Sequence, residues 1–161
     1  MADNFNILDR PVRNFLHVQD IKAGNTPGGT NTIAAWTERT LNTVLTNEIN
    51  GASLASDRIT LPAGDYYLQA RSPYNLISRV QTRIYNVTDA ASILQSTGMY
   101  TSVSVCSVIS NISGKFTLAT ESDISLEYYT QVVRTNTGLG SETFTQTGAD
   151  NVYSDVSIWQ L

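Results

Sequence analysis

The sequence is poor in the residue types that build metal and redox sites, and poor in charge. It has one cysteine and one histidine among 161 residues, and charged residues make up 15% of the chain. One cysteine excludes an intrachain disulfide, so the fold does not depend on an oxidising compartment. A lone histidine without a cysteine pair argues against a zinc site. We predict no cofactor.

Clustered positive charge is also missing. The net charge is -4, and the ten lysines and arginines are scattered without a run of three. Neutralising phosphates requires clustered cations, so no nucleic-acid partner is expected. No run of about 18 apolar residues is present, which predicts no membrane-spanning segment. Residues 1–14 lack the apolar core of a signal peptide, and we expect no secretory leader.

What the chain does contain is short, β-rich runs broken by turn residues. In "LPAGDYYLQA", Pro62 and Gly64 form a corner. Tyr66, Leu68 and Ala70 then share one face of a strand. Turn signals recur about every 8–12 residues, which is typical of an all-β sandwich or barrel. We predict one domain over residues 15–161, preceded by a polar arm over residues 1–14.

Three further segments allow specific predictions. Residues 36–49 are expected to form a strand, with a short helix as the alternative, and to place Leu41 and Leu45 on one face. In residues 79–86, Val80 and Ile84 are expected to point inward. Cys106 lies in the alternating run "SVSVCSVIS" and is expected to be a small buried side chain rather than a reactive thiol.

Two strands carry apolar side chains on both faces, although a sandwich strand needs only one. In the last strand, Val152, Val156 and Ile158 alternate with Tyr153, Trp159 and Leu161. In residues 123–133, Ile124, Leu126, Tyr128 and Val132 oppose Tyr129 and Val133. Burial of both faces requires cover by another chain, so the pattern predicts an oligomer. The alternative is a few exposed aromatic side chains, which are common in monomers.

The runs "PAGDYYLQA", "GKFTLATESDISLEYY" and "VYSDVSIWQL" together resemble the tumour necrosis factor-like jelly roll, which the globular head of complement C1q shares. The resemblance covers residues 15–161. It implies a two-sheet antiparallel sandwich with Tyr66 in the core after Gly64. It also implies a final strand, ending at Trp159 and Leu161, in the middle of an inner sheet. In this family three inner sheets pack around a three-fold axis.

The chain is expected to depart from the animal members of this family, since we expect no secretory leader, collagen-like stalk or disulfide. It looks like the compact versions found in tailed-phage virions. The resemblance therefore implies a trimeric decoration (cement) protein on the exterior of a capsid. Its expected partners are further copies of itself and the major capsid protein or another virion protein. The alternative is a receptor-binding tip of a tail fibre or spike that recognises a host glycan or protein.

The predicted site residues are contacts and not catalysts. The expected trimer interface consists of Tyr129, Val133, Trp159 and Leu161. The expected capsid-contacting arm residues are Asn4, Phe5, Ile7, Leu8, Arg10 and Arg13.

Catalytic and metal motifs offer little support for an enzyme. A Ser-His-Asp device would have to use His17, and no nucleophile elbow or phosphate-binding loop is present. Asp150 with Asp155, or Glu121 with Asp123, could bind calcium through their oxygens, but we interpret them as solvated surface carboxylates. We predict no enzymatic activity, and a small carbohydrate-active enzyme on the same scaffold stays as a third hypothesis.

Overall fold

The computed structural model describes residues 14–142 and 148–161, which contain twelve strands. They are β1 (Phe15–Lys22), β2 (Thr37–Glu38), β3 (Thr43–Asn47), β4 (Ser53–Ala55), β5 (Arg58–Leu61), β6 (Gly64–Asn75), β7 (Arg79–Asn86), β8 (Ala91–Gln95), β9 (Met99–Tyr100), β10 (Ser107–Leu118), β11 (Ser122–Thr130) and β12 (Asn151–Gln160). The predicted arm falls on residues 1–14, of which 1–13 lie outside the described residues.

These strands form two antiparallel sheets. The first sheet has the order β10-β6-β12-β1-β3. The second has the order β4-β5-β11-β7-β8, with β2 also pairing β11 and β9 pairing β7. The predicted all-β, two-sheet sandwich is confirmed. No helix in the described ranges is long and apolar enough to cross a membrane.

The core lies between the two sheets and follows strand alternation. Tyr66, Leu68 and Ala70 of β6 are buried, as predicted, and so are Val80 and Ile84 of β7. The Tyr66 hydroxyl donates a hydrogen bond to the carbonyl oxygen of Pro62 at 2.8 Å, which closes the corner before β6. The sequence pattern thus identified the inward side of these two strands correctly.

A β-bulge in β12 changes the predicted alternation of the last strand. Asp20 pairs with Ser154 and Ile21 with Val152, so Tyr153 is the extra residue. Tyr153 and Ser154 are consequently both buried, while Val152 is 45% exposed. The prediction that Val152 shares a face with Val156 was wrong, because a bulge shifts the alternation by one residue.

The segment 36–49 is also not one strand. Strand β2 pairs with β11 in the second sheet, whereas β3 pairs with β1 in the first. The chain crosses between the sheets at residues 39–42. Leu41 is buried and Leu45 is 49% exposed, against the prediction that they share a face. Leu45 is the unpaired residue of a bulge in β3, since Val18 pairs with Val44 and His17 with Thr46.

The predicted burial of Cys106 was wrong as well. Residues 103–105 form a turn, β10 begins only at Ser107, and Cys106 is exposed. Its sulfur accepts a hydrogen bond from the backbone N–H of Ser102 at 3.1 Å, which closes this turn. The alternating apolar residues of this segment lie in a turn and not in a strand, and Val105 is 83% exposed.

Arg39 connects the two sheets through the core. Its backbone N–H donates to the carbonyl of Leu126 in β11 at 2.7 Å. Its side chain, 1% exposed, crosses to β12, where Nε donates to Ser154 Oγ at 3.0 Å and Nη2 donates to the carbonyl of Tyr153. Nη2 also donates to the carbonyl of Leu139 at 3.1 Å. Arg39 thus connects β11, through its backbone, with the β12 bulge and Leu139, through its side chain.

We predict that Arg39→Leu strongly destabilises the fold. The substitution leaves buried acceptors on Tyr153, Leu139 and Ser154 without their donor, and each such loss costs on the order of 1–3 kcal/mol. We expect the free energy of unfolding in urea to fall by about 3 kcal/mol. Arg134→Gln, an exposed change of the same charge, should leave it unchanged. A fall for Arg39→Leu no larger than that of the control would contradict this role.

Stability should also decline at alkaline pH. Burial raises the pKa of Tyr74 to about 12, from 10.0. Between pH 10 and about pH 12 the unfolded chain releases the Tyr74 proton while the folded chain keeps it. The contribution of this group to the free energy of unfolding is therefore fully present below pH 10 and decreases as the pH rises toward 12. We expect Tyr74→Phe to flatten this decline in denaturant titrations, whereas Tyr100→Phe, at a residue 66% exposed, should not. If the free energy of unfolding of Tyr74→Phe falls with pH as steeply as that of the wild type, Tyr74 is not the source of the decline.

Candidate assembly interface

Three aromatic rings lie on the outer face of the first sheet, the face that points away from the core. Phe15, Trp159 and Tyr67 occupy one row across β1, β12 and β6, since Trp159 pairs with both of the others. The Phe15 and Trp159 ring centroids lie 5.0 Å apart and those of Tyr67 and Trp159 lie 5.9 Å apart. All three side chains are half-buried. We call them the aromatic cluster.

A second row on the same face is polar and internally hydrogen-bonded. Gln19 pairs with Asp155, and Asp155 pairs with Arg71. Asp155 Oδ2 accepts a hydrogen bond from Gln19 Nε2 at 2.7 Å, and it lies 3.4 Å from His17 Nε2 and 3.7 Å from Arg71 Nη2. We call these four residues the polar cluster. Asp155 Oδ2 therefore interacts with three side chains of the sheet.

Beyond the polar cluster the face becomes apolar again. Ile109, 59% exposed, pairs with Pro73 across β10 and β6, and Val152 on β12 is 45% exposed. These three side chains, with Arg71 and Asp155, line a shallow depression of about 400 Å³. The outer face thus runs from aromatic through polar to aliphatic, which is not the continuous polar surface of a sheet that faces water.

The structure distributes the predicted interface residues over both sides of the sandwich. Trp159 lies in the aromatic cluster, and Leu161, 48% exposed, follows it at the end of β12. Tyr129 is on β11 in the second sheet, and its ring centroid lies 5.7 Å from that of Trp36. Val133, 47% exposed, lies beyond the end of β11. The four residues therefore do not form one continuous surface of a single chain.

The predicted arm contacts all lie outside the described residues. This applies to Asn4, Phe5, Ile7, Leu8, Arg10 and Arg13. Their expected role in binding a capsid stays a prediction.

Sequence reasoning missed Phe15, Tyr67 and the polar cluster. Strand alternation places Phe15, His17 and Gln19 on one side of β1, and that signal was available. What it lacks is strand order, because only the pairing of β12 with both β1 and β6 brings Trp159 between Phe15 and Tyr67. The polar cluster depends on the same two pairings.

The described residues around His17, the only histidine of the sequence, do not form a Ser-His-Asp triad. Ser157 pairs with His17 across the sheet, yet no hydrogen bond joins their side chains in the described part of the chain. The Asp155 carboxylate approaches His17 through Nε2, the same ring atom that lies 3.3 Å from Gln19. A triad also needs the other imidazole nitrogen bonded to a serine hydroxyl, and no hydrogen bond at His17 Nδ1 occurs among the described residues. Over residues 14–142 and 148–161, no group of three potential metal ligands occurs.

Solved structures with this fold include murine APRIL and a complement globular domain. The structure of murine APRIL at pH 5.0 matches with a TM-score of 0.60 and 10% identity, covering 92% of this chain and 99% of that one. Murine APRIL at pH 8.0 matches with a TM-score of 0.58, 11% identity and coverage of 92% and 99%. The globular domain of zebrafish complement 1qA protein gives a TM-score of 0.58, 13% identity and coverage of 92% and 97%.

These likenesses confirm the tumour necrosis factor-like jelly roll, and at such low identity they show the fold alone. No family model matches the chain, and no curated protein matches it.

Proposed function

We propose that this chain is a non-enzymatic structural protein that forms a homotrimer through the outer face of its first sheet. The observation that supports this most strongly is the aromatic cluster. A sandwich strand that meets water on its outer face normally carries polar residues there. Here Phe15, Tyr67 and Trp159 form a connected row on that face, and large aromatic side chains dominate the energetics of interfaces.

The polar cluster is compatible with burial in such an interface. Leaving a polar group without a partner on desolvation is costly, and an unpaired charge costs more. Asp155 already interacts with Gln19, His17 and Arg71 within its own chain. The neighbouring subunit therefore does not have to supply a partner for the Asp155 carboxylate. The aromatic and aliphatic regions on either side of it can pack against that subunit without leaving Asp155 buried and unpaired.

We expect purified protein to have a mass close to three times 17.6 kDa in light scattering. Trp159→Arg places a charge within the aromatic cluster and should raise the dissociation constant at least 100-fold, about 2.8 kcal/mol. Tyr100→Arg puts the same charge on an exposed tyrosine of the opposite sheet and should leave the mass unchanged.

Circular dichroism has to show that both variants stay folded. A wild-type monomer, or a folded Trp159→Arg protein that stays trimeric, would refute the assignment of this face. Tyr129→Arg and Leu161→Arg then test whether the other predicted interface residues contribute.

The virion role is a more specific part of the proposal. We propose that the trimer decorates the exterior of a tailed-phage capsid and that its N-terminal arm contacts the major capsid protein. It is supported by the resemblance to compact virion jelly rolls and by a site without assembled catalytic groups in the described residues. A trimer that binds only the assembled shell stabilises that shell by mass action.

Deletion of the gene from a phage that encodes this chain should therefore yield heads that rupture at lower temperature. Added wild-type protein should restore the rupture temperature, whereas protein with Arg10→Ala and Arg13→Ala should bind heads more weakly at equal trimer content. Two results together would exclude the decoration role. These are the absence of the protein from purified wild-type heads and an unchanged rupture temperature after deletion of the gene. Inhibition of adsorption by added protein would instead favour the fibre-tip alternative.

A further inference from the structure

A groove of about 700 Å³ lies on the outer side of the second sheet, opposite the proposed trimer face. Its volume is within the range of small-ligand sites, about 300–1,000 Å³. Its main side chains are two tyrosines, two glutamines, one arginine and one isoleucine: Tyr100, Tyr129, Gln81, Gln131, Arg79 and Ile33. Neither the fold nor the proposed assembly gives this groove a role.

Strand pairing brings these side chains together. Arg79 pairs directly with Tyr100 across β7 and β9, and Gln81 pairs directly with Tyr129 across β7 and β11. Directly paired residues have Cβ atoms about 4.5–5.5 Å apart. Arg79 and Gln81 are two residues apart on β7 and therefore point to the same side. The result is a row of phenol, guanidinium and amide groups on one surface.

The charge of the groove is positive, although the chain as a whole carries -4. Among the described residues that line the groove, Arg79 is the one charged residue, and none of them carries a carboxylate. Two other arginines on this face are ion-paired: Arg58 Nη2 lies 2.8 Å from Glu38 Oε1, and Arg83 Nη2 lies 2.7 Å from Glu127 Oε2. The Arg83 guanidinium also packs 4.2 Å from the centre of the Trp36 ring. Arg83 is thus neutralised, whereas Arg79 has no ion-pair partner in the described residues.

Donors for hydroxyl groups lie beside this charge. The carboxamide oxygen of Gln131 accepts a hydrogen bond from Ser78 Oγ at 3.0 Å, which orients the amide and leaves its two N–H groups as donors. Tyr129 is 40% and Tyr100 66% exposed, so both phenol rings present apolar surface and a polar tip to a ligand.

We infer that this groove binds an acidic saccharide, with a sugar carboxylate on Arg79 and a sugar ring against Tyr100 or Tyr129. The guanidinium matches a carboxylate in a bidentate geometry. The tyrosine rings match the apolar C–H surface of a pyranose, and the glutamine amides match its hydroxyls. A purely apolar ligand would leave Arg79 and both amides unpaired, and a cation would be repelled. This inference concerns the opposite sheet and does not rest on the proposed trimer.

The probe is a trigalacturonate, titrated into the full chain by calorimetry, with neutral trigalactose as the matched control. We expect the acidic trisaccharide to bind and the neutral one to bind at least tenfold more weakly. Arg79→Gln should abolish this difference, and Tyr129→Ala should weaken binding of the acidic sugar at least tenfold. Arg134→Gln removes an equal charge from an exposed site that does not line the groove and should change neither value.

Several results would overturn the inference. These are equal binding of the two sugars, equal losses in Arg79→Gln and Arg134→Gln, and no binding of the acidic sugar. Equally tight binding of a triglutamate peptide would reassign the groove to protein carboxylates. Loss of the groove's solvent accessibility in the trimer, seen as protection of Tyr100 and Tyr129 from iodination, would assign it to a second copy of the chain. The melting temperature of each variant separates loss of binding from loss of fold.

Discussion

The bridge that Arg39 forms between the sheets is the interaction on which the arrangement of this sandwich depends. Its backbone is held by β11, and its guanidinium reaches Ser154, Tyr153 and Leu139 on the other side of the core. The Tyr74 ring lies 5.2 Å from the guanidinium carbon. Buried charges are costly, and Nη1 has no hydrogen-bond partner among the described residues. The benefit of Arg39 is therefore geometric, because it defines how the crossing at residues 39–42 meets the β12 bulge.

That bulge in turn determines which side chains the first sheet presents outward. It turns Tyr153 and Ser154 inward toward Arg39 and leaves Val152 exposed at one end of the outer face. After the bulge, regular alternation resumes, so that Asp155, Ser157 and Trp159 all point outward. The aliphatic end and the aromatic cluster share one face of β12 only because one extra residue separates them. The candidate interface and the core bridge are two consequences of the same backbone irregularity.

The two outer faces differ in chemistry, and this difference suits two kinds of partner. On the first sheet the Asp155 carboxylate is paired within the chain and lies between apolar regions, which favours burial of this part of the face against protein. On the second sheet Arg79 has no ion-pair partner among residues 14–142 and 148–161 and lies beside amides and phenols, which favours a hydrophilic anionic ligand. A chain with both faces can associate through one and bind through the other without competition for the same residues.

The sequence by itself determined the fold class and the inward side of the regular strands. Turn residues end strands locally, and alternation requires only neighbours two positions apart, so Tyr66, Leu68, Val80 and Ile84 were placed correctly. It did not determine the bulges in β3 and β12, the crossing at residues 39–42 or the exposed turn before β10. Those features arise where cross-strand hydrogen bonds and buried polar groups compete with local alternation. Only the tertiary structure decided which strands are neighbours, and therefore that Trp159 lies between Phe15 and Tyr67 and that Arg79 lies beside Tyr100.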